Sequence, residues 1–188
     1  PERAASMAWR DARLSHRRNG IYGEMFLAAA QSAAFAVDDP LDAVRIALTE
    51  IPKDCLLHRD VEWALSHCGE VRDCYDARRL VDERFPGMHI VHTNNNLCLV
   101  VFGLALARGD LVRGLSQTIA MGLDSDCTAA SAGSILGAVL GKKAIPPYLY
   151  ERFRDTMETY LLGCGAFSMS DMARRYLAVL RAGAGEIG

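Results

Sequence analysis

Residues 121–141 read MGLDSDCTAASAGSILGAVLG. Two aspartates, Asp124 and Asp126, open a run of small and aliphatic residues with no Lys or Arg before Lys142. The run shows no period-two alternation and is too long for an ordinary strand, so it predicts a helix over 126–141. That helix is apolar on every side, which places it inside a bundle rather than on its surface. Ala129, Gly133, Gly137 and Gly141 recur every four residues along it and form one stripe. Each interior glycine costs a helix about 1 kcal/mol, so the stripe predicts close approach of another helix backbone.

The helical period continues in both directions. Helices are predicted over 2–14, 20–37, 40–49, 57–68, 73–84, 94–108, 110–121, 126–141, 147–162 and 169–182, and the 20–37 segment is again apolar all round. The expected fold class is therefore all-α, about ten helices with no significant sheet. Several starts have a local cause. Asp39 can cap a helix whose first position is Pro40, Asp110 can cap the next but several, and Ser168 or Ser170 can cap the last, with Gly183 just past its end. Short gaps, no linker composition and no internal repeat predict one domain.

The chain has 188 residues, 21 Lys and Arg against 23 Asp and Glu, and a formal charge of −2. That balance gives no electrostatic case for general nucleic-acid binding or for an anionic membrane, and leaves a small molecule or a protein as partner. Six cysteines are irregularly spaced, several inside apolar helical patterns, which points to reduced thiols and a cytoplasmic location. No apolar run reaches the roughly 18 residues of a membrane span, and no signal peptide is visible. The sequence begins at Pro1 directly inside a helical pattern, ERAASMAWRDARL, as an interior start of a longer chain would.

Two readings of the aspartates stand side by side. A carboxylate at a helix start gains from the dipole and the free N–H groups, typically about 0.3–1 kcal/mol, but one such cap leaves the second aspartate redundant. A hard cation such as Mg²⁺, Mn²⁺ or Ca²⁺ would use both. An EF-hand is excluded: counting from Asp124, its glycine and glutamate positions hold Ala129 and Ile135. Other thiol and imidazole groups give weaker signals. CLLH at 55–58 with HC at 67–68 and Cys74 lacks the paired-cysteine knuckle of zinc sites. Cys127 as a nucleophile is opposed by its flanking carboxylates. His92, ahead of Asn95 and Asn96, fits either a helix start or a ligand contact. Arg17 and Arg18 fit either a phosphate or a solvated surface.

GLDSDCTAASAGSILGAVLG resembles the late metal-binding motif of the ADP-ribosylglycohydrolase family, dinitrogenase-reductase-activating glycohydrolase among them. In that motif Asp-x-Asp and a small polar residue open a buried, Gly-rich helix. ARLSHRRNGIYGEMFLAAAQSAAF is similar to the family's Ser-His or Thr-His segment, VHTNNNLCLVVFGLALARGD to the stretch before the metal motif, and MSDMARRYLAVL to a common tail. The resemblance implies a compact orthogonal helical bundle, two Mg²⁺ ions (Mn²⁺ in some members) and hydrolysis of the bond joining ADP-ribose to a protein side chain or related acceptor. Carried over by position, it makes Asp124 and Asp126 metal ligands and places Cys127 where the family often has a Thr whose hydroxyl joins the metal shell. That contact would then be lost, supplied by Thr128 or Ser125, or filled by water, with Cys127 kept among the metal-site residues. Ser15 and His16 would lie beside the ADP-ribose, and Asn19, Gly20 and Gly23 would let backbone approach its phosphates or ribose.

The family's early Gly-Asp segment and its Thr-Asp-Asp motif do not occur in this sequence. The resemblance therefore implies the C-terminal part of one all-helical domain, 1–188, whose remaining metal ligands come from water, a missing N-terminal segment or a second chain, and whose acid–base carboxylate lies in the missing segment. No catalytic residue follows from the sequence. The expectation is a Mg²⁺-dependent hydrolase, incomplete as this chain; the alternative is a non-catalytic helical interaction module or an ADP-ribose-binding pseudoenzyme.

Overall fold

In the computed structural model, which describes residues 1–184, helix α6 (Thr93–Ala107) is buried along almost its whole length. It contains no charged side chain and carries LCLVVFGLALA after its first turn, so every face can be desolvated without an unpaired charge. The other helices of the first unit, Pro1–Ala144, are α1 (Glu2–Ala12), α2 (Asn19–Ala33), α3 (Pro40–Leu48), α4 (Leu56–His67), α5 (Cys74–Arg84), α7 (Leu111–Ala120) and α8 (Ser125–Leu140). All of them except α1 pack on α6, and α1 packs on α2. Phe26, Leu57, Leu99, Phe102, Leu104, Leu106, Ile135 and Leu136 fill the space between them. Each such side chain contributes about 1.5–3 kcal/mol on burial. The expected all-α architecture is thus present.

The tightest glycine contacts in this part of the bundle lie where α7 meets α6 and α8. A Cβ on Gly103 would overlap the Thr118 hydroxyl, and one on Gly114 would sit 2.6 Å from Leu136 Cδ1 and 2.8 Å from Ala107 Cβ. The stripe expected to do this on α8 does not. Gly133 faces only the Leu115 side chain, and a Cβ on Gly137 or Gly141 would meet nothing within 4 Å. Nor is α8 enclosed on all sides. Thr128, Ala132, Ile135 and Leu136 turn inward, while Asp126, Cys127, Ala130 and Ser134 are exposed. Alanine, glycine and serine make a helix uncharged without giving it much area to bury, and the larger aliphatic residues of α6 take the centre instead.

The expected caps at Asp39 and Asp110 are present: Asp39 Oδ1 accepts from Leu41 N and Asp110 Oδ1 from Arg113 N, each at 2.9 Å. The second unit begins at Ile145. Short 3₁₀ turns at Pro147–Leu149 and Glu151–Phe153 lead to a hairpin of β1 (Thr156–Leu161) and β2 (Cys164–Ser168), and then to α9 (Met169–Ala184). The helix expected over 147–162 is therefore absent. Arg154 and Asp155, at φ of 48° and 57°, reverse the chain in its middle. Thr156 then pairs with Ser168 and Leu161 with Cys164. Ser168 caps α9 as expected, accepting from Asp171 N at 3.0 Å, but the helix continues through Gly183 rather than stopping before it. No described helix is long and apolar enough to cross a membrane.

Candidate metal centre

The chain leaves α7 through two residues in the left-handed region, Gly122 at φ 73° and Leu123 at φ 59°. A glycine adopts that conformation freely; the leucine does so at a cost of about 1–3 kcal/mol, which the surrounding structure must offset. The turn is held from two sides. Arg78 Nη1 donates to the Met121 carbonyl at 2.9 Å, and Asn96 Oδ1 accepts from the Asp124 N–H at 3.2 Å.

Asp124 then occupies the N-cap position of α8, yet its side chain caps nothing. The guanidinium that reaches this turn, Arg78, directs its Nε to Asp82 at 2.8 Å. The capping reading of Asp124 therefore fails, and its carboxylate meets the Cys127 thiol instead of a backbone N–H. Asp124 is half-buried, Asp126 and Cys127 are exposed, and the ligand-type atoms of these three residues lie within 4.8 Å of one another. Among the described residues this is the one such group; the cysteines and histidines at 55–74 form none. Cys55 Sγ instead accepts from the His58 N–H at the start of α4.

Hydrogen bonding to the Asp124 carboxylate, some burial and the charges of Asp124 and Asp126 all push the Cys127 thiol above its ordinary value. A protonated thiol is neither a nucleophile nor a ligand for a hard cation. Oxygen donors remain. The Asp124 and Cys127 side chains line a cavity of about 150 Å³ together with Thr128, Asn96, Thr93 and Ser131 on its polar side and Leu27, Val91, Leu97 and Val100 on its apolar side. Thr128 is buried and donates to the Ser125 carbonyl at 3.2 Å, whereas Ser125 is not part of the lining. Asp124, which shares the cavity with Thr128, and the exposed Asp126 beside it have no basic partner among the described residues, and their oxygens suit Mg²⁺ or Mn²⁺.

None of the five residues expected at the ADP-ribose lines this cavity. Ser15 and His16 are exposed, joined Oγ to Nδ1 at 2.8 Å, and His16 Nδ1 lies 3.1 Å from Glu24 Oε1. Asn19 Oδ1 accepts from Leu57 N at 3.4 Å and ties α2 to α4. Gly20 abuts the His16 ring, and Gly23 is covered by the Thr93 side chain. Gly23 and Leu27, one turn apart on α2, nevertheless bring that helix to Thr93 and so to the edge of the cavity. Arg17 and Arg18 are both exposed, and Arg18, at φ 49°, precedes α2. His92 takes the structural role: its Nδ1 accepts from the Asn94 N–H at 3.2 Å as the cap of α6.

The sequence reading missed the network at the start of α6. Asn94 Nδ2 donates to Asp60 Oδ2 at 2.7 Å, and Arg84 reaches Asp60 Oδ1 at 3.0 Å. Asn95 donates to the His89 carbonyl at 3.1 Å. The available signal was three consecutive asparagines at the head of an apolar helix, because buried amides require partners.

Fold and site together define a predominantly helical protein with an open cavity, lined by the Asp124 carboxylate, at the start of one helix. The chain belongs to the ADP-ribosylglycohydrolase family, a family of hydrolases: the family model described as ADP-ribosylglycohydrolase matches residues 1–184. Neither a curated protein nor a solved structure matches it.

Proposed function

We propose that this chain takes part in divalent-cation-dependent hydrolysis of the glycosidic bond joining ADP-ribose to a modified side chain or related acceptor. The observation that carries the reading is the Asp124–Asp126 pair in a chain of this family: Asp124 caps no helix and lines the cavity, and the exposed Asp126 lies beside it. Asp124 and Asp126 would hold Mg²⁺ or Mn²⁺, and Thr128 is better placed than Cys127 to add an oxygen. When bound, the cation supplies charge stabilisation and a polarised water at the anomeric ribose carbon. Asn96 and Arg78 hold the backbone of the turn that presents the carboxylates. Ser15, His16, Asn19, Gly20 and Gly23 belong to the substrate side in this proposal, through the α1–α2 turn and the start of α2 rather than through the cavity wall.

Mg²⁺ takes about six oxygen ligands, and the described residues bring two carboxylates together. We therefore propose that a further segment or a second chain completes the site for two ions and supplies the acid–base carboxylate. The same shortage favours a second reading, an ADP-ribose-binding protein without turnover. The unpaired cysteines fit a reducing compartment, and cytoplasmic location is part of the proposal.

The test is release of ADP-ribose from modified arginine, serine or nucleic acid, with and without Mg²⁺, alone and with the family's N-terminal segment added. The hydrolase reading expects Mg²⁺-dependent release that Asp126→Ala reduces by about a hundredfold. Equal rates for the two proteins would remove the aspartate from the reaction. ADP-ribose binding without release under all conditions would select the second reading.

A further inference from the structure

We infer that Asn96 is a positioning residue for the aspartate pair, fixing the turn from which Asp124 and Asp126 project. Its side chain is almost fully enclosed, with 8% of the residue exposed. The Nδ2 group donates to the Ile90 carbonyl at 2.7 Å and to the His92 carbonyl at 2.9 Å. Two carbonyls on that side settle the orientation of the amide, since an oxygen there would face two acceptors. Oδ1 is thereby aimed at the opposite side, where it accepts the Asp124 N–H.

That N–H has reason to need an acceptor. Asp124, at φ −86° and ψ 65°, stands outside the helical ladder of α8, directly after the two left-handed residues. Asn96 is thus a clamp between the segment entering α6 and the turn entering α8, although 28 residues separate it from Asp124. Its neighbours do not share this role. Asn94 reaches Asp60 and Asn95 reaches His89. Groups that orient metal ligands from behind typically change cation affinity by about 10–100-fold when removed, and Asn96 acts here on the ligand's own backbone.

The cation part of this inference rests on the proposed function; the clamp itself does not, and the test separates the two. Amide hydrogen exchange in the full chain reports the clamp directly. The Asp124 amide is expected to be protected in the native protein, to exchange about tenfold faster or more in Asn96→Ala, and to be unchanged in Asn94→Ala. Mn²⁺ affinity, followed by the metal's own resonance signal, is expected to fall about tenfold or more in Asn96→Ala and by less than about threefold in Asn94→Ala. Asn96→Ser is the replacement if the alanine variant does not fold. An unprotected Asp124 amide in the native protein, or equal protection with and without the Asn96 side chain, overturns the clamp. Equal loss of Mn²⁺ affinity in the Asn94 and Asn96 variants overturns the specific role of Asn96 toward the cation. If the native chain binds no Mn²⁺, the proposed function fails, and the exchange of the Asp124 amide decides the clamp alone.

Discussion

At the scale of single residues, what a side chain meets decides its value, and spacing in the sequence does not reveal that. The regular glycine stripe of α8 borders open space at Gly137, whereas Gly103, which belongs to no stripe, touches the Thr118 hydroxyl. Gly103→Ala is therefore expected to destabilise the protein by about 1–3 kcal/mol through overpacking. Gly137→Ala is expected to be neutral or to stabilise it by up to about 1 kcal/mol through helix propensity. Urea unfolding of the two variants measures both. The cysteines divide by burial in the same way. Burial, with Arg45 opposing it and Asp39 adding to it, pushes the Cys68 thiol up to about 11, and burial pushes the enclosed Cys98 thiol well up. Both thiols stay protonated through neutral pH. Alkylation at pH 8 with mass mapping should leave Cys98 and Cys68 the slowest to react until the protein unfolds.

At the scale of elements, local signals proved legible and collective ones did not. Asp39, Asp110 and Ser168 could be read as caps because a cap needs only its own few residues. The hairpin Thr156–Ser168 escaped because its apolar spacing mimics a helix. What excludes the helix is the pair of left-handed residues at Arg154 and Asp155, invisible in composition. The head of α6 is a third case: its asparagines are plain in the sequence, and their partners on α4, on the 89–92 segment and at Asp124 are not. Asp60 joins α4 to α6 there with only 6% of the residue exposed. Asp60→Ala leaves the buried Asn94 amide without its acceptor and is expected to cost about 1–3 kcal/mol in thermal or denaturant unfolding. Asp60→Asn, which keeps an acceptor, should cost less. Arg84 is partly exposed and adds little of its own.

At the scale of the whole molecule, the buried apolar side chains among the described residues fall between Ala5 and Leu136, inside the first unit. The Asp124–Asp126 pair and its cavity lie in that unit as well. Residues 1–144 alone are therefore expected to unfold in one cooperative transition, and to keep whatever cation affinity the full chain has. Circular dichroism on the shortened chain tests the first point. The all-α class was legible because nearly every segment repeats the helical period. Part of the site was legible too, because two carboxylates among small residues need an explanation that composition alone withholds. The remainder, Asn96 and Thr128 above all, depends on which helices the bundle brings together.

Among the described residues, neither Asp124 nor Asp126 caps α8 or meets a basic side chain, and the proposed function gives both to a divalent cation. Titration of the full chain with Mn²⁺ tests it most directly, in the native protein and in Asp124→Ala and Asp126→Ala. Saturable binding is expected, weakened about tenfold or more by each substitution, with the helical content unchanged because neither carboxylate caps α8. No saturable binding, or binding that survives both substitutions intact, would contradict it.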